Sequence, residues 1–147
     1  MNNRITAALA LTLLLAGCGG YGGGSSKYMP PGASNGAPAS ATPAITQTIL
    51  GSPGLATPNG FTLYEFSGDG TDVSNCTASC AAVWPPFMAS AGAQPTGNFT
   101  VIMRMGGGQQ WAYKGHPLYT FTGDTAAGMA NGQNVAASGG TFTVARL

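Results

Sequence analysis

Few side chains in this 147-residue chain can do chemistry, and that scarcity bounds its function. Charged residues make up 6% of the sequence, five Lys and Arg against four Asp and Glu. His116 is the only histidine, in a turn before Pro117. Its imidazole, with the thioethers of Met103 and Met105, would make a donor set suited to Cu(I). The bland alternative is a turn histidine and two methionines that fill gaps in a core. Asp69, Asp72 and Ser67 could offer oxygens to a hard cation, although their spacing follows no known calcium loop; Asp124 has no second acid near it. General acid–base catalysis needs positioned groups with tuned pKa values. Gly-x-Ser-x-Gly, His-Glu-x-x-His and a phosphate-binding glycine loop are all missing. The expectation is a non-enzyme without a cofactor, and the lack of a basic patch points away from nucleic acid.

The elements that position these groups begin with an export segment. Met1–Arg4 is a short polar start with one positive charge, and Ile5–Ala16 is apolar except for Thr6 and Thr12. That run suits a signal peptide and is shorter than the roughly 20 residues that span a bilayer. It ends in Leu15-Ala16-Gly17-Cys18, which resembles the lipobox of bacterial lipoproteins. The resemblance implies cleavage before Cys18, lipidation of its thiol, and a cell-envelope location. That location is the outer membrane in a Gram-negative cell and otherwise the outer face of the cytoplasmic membrane. Each buried acyl CH₂ contributes roughly 0.8 kcal/mol, so several chains anchor stably.

Three segments follow from composition. Residues 1–17 form the signal peptide. Residues 18–45 carry the lipidated cysteine and a linker of Gly, Ala, Pro and Ser with no hydrophobic period, which predicts disorder. Residues 46–147 are enough for one small core. In an oxidising compartment, Cys76 and Cys80 are an even pair once Cys18 is lipidated. A short helix over 75–83 would put them on one face. The leading reading is a disulfide; its small loop contributes about 2 kcal/mol in the loop-entropy treatment. A redox-active pair or a metal-ligating pair are the alternatives, the first disfavoured because no cation nearby would depress a thiol pKa.

The domain repeats itself. Leu63-Tyr64-Glu65-Phe66-Ser67-Gly68-Asp69 recurs 55 residues on as Leu118-Tyr119-Thr120-Phe121-Thr122-Gly123-Asp124. Alternation puts Tyr64 with Phe66, and Tyr119 with Phe121, on one strand face. Gly-Asp then predicts a turn in which the carboxylate accepts from backbone N–H groups two residues on. Further strands are expected over 100–105, with Val101, Met103 and Met105 on one face, over 110–113 as its hairpin partner, and over 141–145. Residues 47–50 are the expected partner of the first motif strand. The fold class is mainly β, a small meander or sandwich of two degenerate repeats.

The duplicated Tyr-x-Phe-x-x-Asp, with Cys76-x-x-x-Cys80-Ala81-x-x-Trp84-Pro85-Pro86 between the copies, resembles the bacterial secreted-repeat lipoproteins with a Tyr-x-[Phe/Trp/Tyr]-x-x-Asp motif. The resemblance implies a fold and a location but no reaction. Met105, Met129 and Phe142 depart from the pattern, which often has an acid, an Asp and a Trp there. The reading is therefore a membrane-anchored, non-catalytic structural or recognition domain. Its partner would be an envelope protein, a polymer or a small ligand, with aromatic side chains such as Trp84, Trp111 and Tyr113 either in the core or lining a groove. The alternative is a carrier of copper or a small redox ligand.

Overall fold

The computed structural model describes residues 42–147. The signal-peptide segment, Cys18 and the linker to residue 41 lie outside the described residues. Each half of the described chain starts with a hairpin. In the first, β1 (Ile45–Ile49) pairs antiparallel with β2 (Ser52–Ala56). Leu50 and Gly51 turn between them, both at positive φ (52° and 76°), as a two-residue hairpin requires. In the second, β5 (Phe99–Met103) pairs with β6 (Gln109–Tyr113). Their loop runs through Gly106, Gly107 and Gly108, all at φ near 90°, a conformation that Cβ-bearing residues resist.

A third segment then folds back on each hairpin. In the first half, β3 (Tyr64–Phe66) follows a turn that brings Leu63 N onto Leu55 O at 2.9 Å. In the second, β7 (His116–Pro117) pairs with β6, and Leu118 N reaches Trp111 O at 3.0 Å. The strand beside the first motif is thus 52–56, not 47–50. Pro53 and Gly54 disguise it, because both are poor strand formers. Space beside Gly54 is tight: a Cβ on it would stand 3.1 Å from Ile49 Cδ1 and Val144 Cγ1.

The remaining elements are the one-turn helix α1 (Ser79–Val83), β4 (Met88–Ala89), β8 (Val135–Ala137) and β9 (Gly140–Val144). The sheets run β1-β2, β3-β9-β8 and β4-β6-β5, with β7 on β6. The helix is shorter than the expected 75–83 and leaves Cys76 outside it. The strands β4, β7 and β8 add to the expected set, and His116, expected in a turn, opens β7 because the turn at Lys114 and Gly115, both at positive φ, is already complete before it; β1 begins just ahead of the 46 boundary.

The closing strands change places. The segment 83–88 belongs to the first half in sequence but pairs with the second motif: Phe87 N donates to Leu118 O, Thr120 N to Pro85 O and Thr122 N to Val83 O. Its counterpart β9, from the second half, pairs with the first motif, Tyr64 opposite Val144 and Phe66 opposite Phe142. Leu55 N donates to Ala145 O and Ala145 N to Leu63 O; Trp111 N donates to Phe87 O in the equivalent place. Each half is completed by a strand from the other.

The two motif segments meet at the centre, Tyr64 N to Tyr119 O at 2.8 Å and Tyr119 N to Tyr64 O at 2.9 Å; the second copy, expected as a strand, forms only isolated bridges at Tyr119, because its neighbour carries Pro85 and Pro86, which bring no N–H to a ladder. Alternation divides their side chains between two cores. Leu63 and Leu118 join Leu55, Phe99, Trp111 and Tyr113. Tyr64 and Tyr119 join Trp84, Phe142, Phe66 and the two cysteines. Phe121, Trp84, Phe142 and Phe66 form a continuous stack with centroids 4.3, 3.7 and 4.4 Å apart. Tyr64 packs edge-on against Trp84 at 5.4 Å, and Tyr119 against Phe142 at 5.7 Å. Phe142 is therefore the counterpart of Trp84 across an approximate two-fold axis.

Candidate functional site

The motif residues converge on two hydrogen-bonded pairs, and both cross between repeats. Tyr64 Oη donates to Asp124 Oδ2 at 2.6 Å, and Tyr119 Oη donates to Asp69 Oδ2 at 2.7 Å. The antiparallel crossing at Tyr64 and Tyr119 aims each phenol at the other copy's turn. Phe66 and Phe121, two residues on, lie on the same face and contribute the outer rings of the stack. Each ring folds over the glycine that follows it, so a Cβ on Gly68 or Gly123 would meet the ring closer than 3.0 Å.

The carboxylates cap farther than the expected two residues. Asp69 Oδ1 accepts from Asn75 N at 2.7 Å, and Asp124 Oδ1 from Asn131 N at 2.8 Å. The same asparagines return their amides to Gly68 O (2.8 Å) and Gly123 O (3.0 Å). Each aspartate thus ties one loop of its own repeat to a tyrosine of the other. The missed signal is an Asn six or seven residues after each motif Asp.

The halves differ in what stands behind the phenol. Arg104 Nη1 donates to Ser74 Oγ at 2.6 Å, and Ser74 Oγ lies 2.7 Å from Tyr119 Oη. Since the Tyr119 proton goes to Asp69, Ser74 donates to Tyr119, and the chain of donors runs from Arg104 to Asp69. Arg104 also reaches Gln110 Oε1, and its Nη2 donates to Cys76 O at 2.6 Å. Among the described residues no cation bonds to Tyr64: its oxygen accepts from Gly132 N at 3.3 Å, and Thr62 Oγ1 beside it donates to Met129 O. Arg104 carries a sequence signal. It alternates with Met103 and Met105, on the face that holds Ile102.

Burial sets the acid–base behaviour. It pushes the Tyr119 phenol up to about 12, with the Asp69 hydrogen bond and charge adding to it against the Ser74 contact. Burial and then the Asp124 bond raise Tyr64 far above the ordinary phenol value. Asp69 is raised by burial, offset by hydrogen bonds from Tyr119, Asn75 N and Cys76 N and by the Arg104 charge. No buried side-chain nitrogen or oxygen among the described residues lacks a hydrogen-bond partner. The Tyr–Asp pairs therefore join the two repeats through groups that are each already hydrogen-bonded.

Cys76 and Cys80 are bonded, with Cα atoms 5.2 Å apart. The bridge closes the loop that Asn75, Ser74 and Arg104 hold, and both cysteines are buried.

The soft-metal trio is not brought together. His116 pairs with Tyr113, which pairs with Phe99, whereas Met103 lies four residues along the same strand, roughly 13 Å away. Met103 and Met105 are 69% and 78% exposed, so neither is a core residue. Asp72 Oδ1 accepts from Thr100 Oγ1 and Ser67 Oγ from Thr141 N, so the oxygens proposed beside Asp69 turn to separate partners. Among the described residues no group of three or more His, Cys, Asp or Glu is placed to hold a metal. Trp84, Trp111 and Tyr113 are buried, the first in one core and the other two in the second. An open depression on the β8–β9 hairpin is lined by residues 136–141, none ionisable.

No helix among the described residues is long and apolar enough to cross a membrane. No curated protein and no solved structure matches the chain. Residues 48–88 and 100–145 each match one family, and the gap between the two matches falls where the halves that exchange strands meet. The chain belongs to the family described as a secreted repeat of unknown function, and it carries two copies of that repeat.

Proposed function

We propose that this is a lipid-anchored cell-envelope protein, attached through Cys18, whose two-repeat domain is a non-catalytic structural or recognition body. The observation that supports the second part is the closure of the polar centre. Both motif tyrosines and both motif aspartates are spent on each other, on Ser74 and on backbone groups. A catalytic group must instead face substrate, within hydrogen-bond reach of the atom it serves. What supports the first part is Leu15-Ala16-Gly17-Cys18 after a short apolar run, together with membership of a secreted family. The partner of the domain is an envelope protein, a polymer or a small ligand.

Metabolic labelling with an alkyne fatty acid tests the anchor. The wild-type chain is expected to take up label and to sediment with membranes, and Cys18→Ser is expected to lose both. Label retained by Cys18→Ser, or absent from the wild type, would refute it.

A further inference from the structure

The exchanged closing strands give each repeat a binding site for another repeat. The first repeat offers the Tyr64 edge to β9, and the second offers the Tyr119 edge to 83–88. The Tyr–Asp bonds, the Arg104 contacts to Ser74 and Cys76, and the Trp84–Phe142 stack all run from one repeat to the other. The covalent link between the repeats is only the segment 90–98, Ser-Ala-Gly-Ala-Gln-Pro-Thr-Gly-Asn. That segment is mostly exposed, and up to residue 97 its hydrogen bonds are local: Ala93 N to Ser90 O, Gln94 Nε2 to Gly92 O, and the Thr96–Phe99 pair; at its end Asn98 O accepts from Lys114 N of its own repeat at 2.8 Å.

We propose that a second copy of this chain is a partner of the fold, taken up by trading whole repeats through the 90–98 connector. The first repeat of one chain closes on the second repeat of the other, and every contact named above is kept. Nothing in this depends on the lipid at Cys18. Only the connector decides between one chain and two. A short flexible linker sets an effective concentration on the order of millimolar, so the closed single chain dominates at micromolar concentration and exchange sets in near millimolar.

The connector's length can be judged from the register. Ala89 lies beside Gln109 and Phe99 beside Tyr113, so the connector must travel the length of β6 and cross from β4 to β5. That is about 14 Å along the strand and about 10 Å across two strand spacings, or roughly 17 Å in a straight line. Deleting residues 91–95 leaves four residues and a fully extended reach of about 17 Å. A straight line would pass through the sheet, so the shortened connector cannot close one chain on itself.

The test uses residues 18–147 with Cys18→Ser, oxidised, and native mass spectrometry. The 91–95 deletion is expected to be a folded dimer at micromolar concentration, at least a hundredfold below the concentration at which the parent dimerises. A folded monomer would overturn the proposal. If the deletion does not fold, a second arm decides. The intact chain, with a protease site inserted after Gly92, is refolded from urea at concentrations up to millimolar. Dimers are expected to increase with refolding concentration and to fall to single-chain mass when the connectors are cut, because each cut dimer contains two complete repeat pairs. Monomers at every concentration, or dimers that survive cleavage, would overturn it.

Discussion

Replacing Tyr64 by Phe removes one hydroxyl from the core and leaves the ring against Trp84. The hydroxyl donates to Asp124 Oδ2 at 2.6 Å and accepts weakly from Gly132 N at 3.3 Å. A hydrogen bond to a charged acceptor contributes about 1.5–3 kcal/mol, and a buried acceptor left unpaired adds to the loss. Asp124 is only 5% exposed and would keep just the Asn131 N–H. Tyr64→Phe should therefore cost about 2–3 kcal/mol. Asp124→Asn should cost a similar amount, and the double variant less than the two together, leaving a coupling of about 1.5–3 kcal/mol. Tyr64 and Asp69 belong to the same motif copy but share no hydrogen bond, so their variants should add to within about 0.5 kcal/mol. Urea unfolding of residues 18–147 with Cys18→Ser measures all of these. In a domain of this size each kcal/mol also moves Tm by about 4–8 °C. Coupling within a motif copy, with none across copies, would refute the crossed clamp.

Reduction of Cys76–Cys80 should cost about 2 kcal/mol and leave the fold intact, because Arg104 and Asn75 still hold the loop; a lower urea midpoint with unchanged near-ultraviolet dichroism would show this. The Tyr119 phenol, raised from 10.0 to about 12, favours its neutral form in the folded state. Its stabilisation is complete below pH 10 and is lost as pH rises from 10 through about 12. Tyr119→Phe should flatten that alkaline loss in urea midpoints. Glu65 is raised above 4.5 by burial, against the charges of His116 and Lys114. Its contribution is complete below pH 4.5 and falls as pH rises through the higher folded value. Glu65→Gln should shrink the midpoint difference between pH 4 and pH 7, and an unchanged difference would contradict the assignment.

The first motif strand, the hairpin over 99–113, the closing strand near 141–145 and the cysteine pair are legible, because each rests on local chemistry: alternation, glycine turns and short spacing. What pairs with what was not legible. Trp84–Phe87 and Phe142–Ala145 have similar patterns, and so have the Tyr64 and Tyr119 strands, so alternation permits two assignments of closing strand to motif. Local preference cannot separate them. The tyrosines do, because they cross at the centre with their backbones paired, and each phenol then falls beside the other copy's turn. The aspartate was legible as a cap, but its partners were not, since Asn75 and Asn131 sit in loops whose path only the fold defines. The same degeneracy explains the asymmetry between halves. The first repeat fixes its capping loop with a disulfide and Arg104. The second uses Gln133 Oε1, which accepts from Val144 N at 2.8 Å, and a glycine at 132, where a Cβ would stand 2.7 Å from Trp84. One geometry is thus held by two different sets of side chains. The crossed Tyr–Asp pairs clamp the two repeats in either case, so the arrangement does not depend on which set holds the loop.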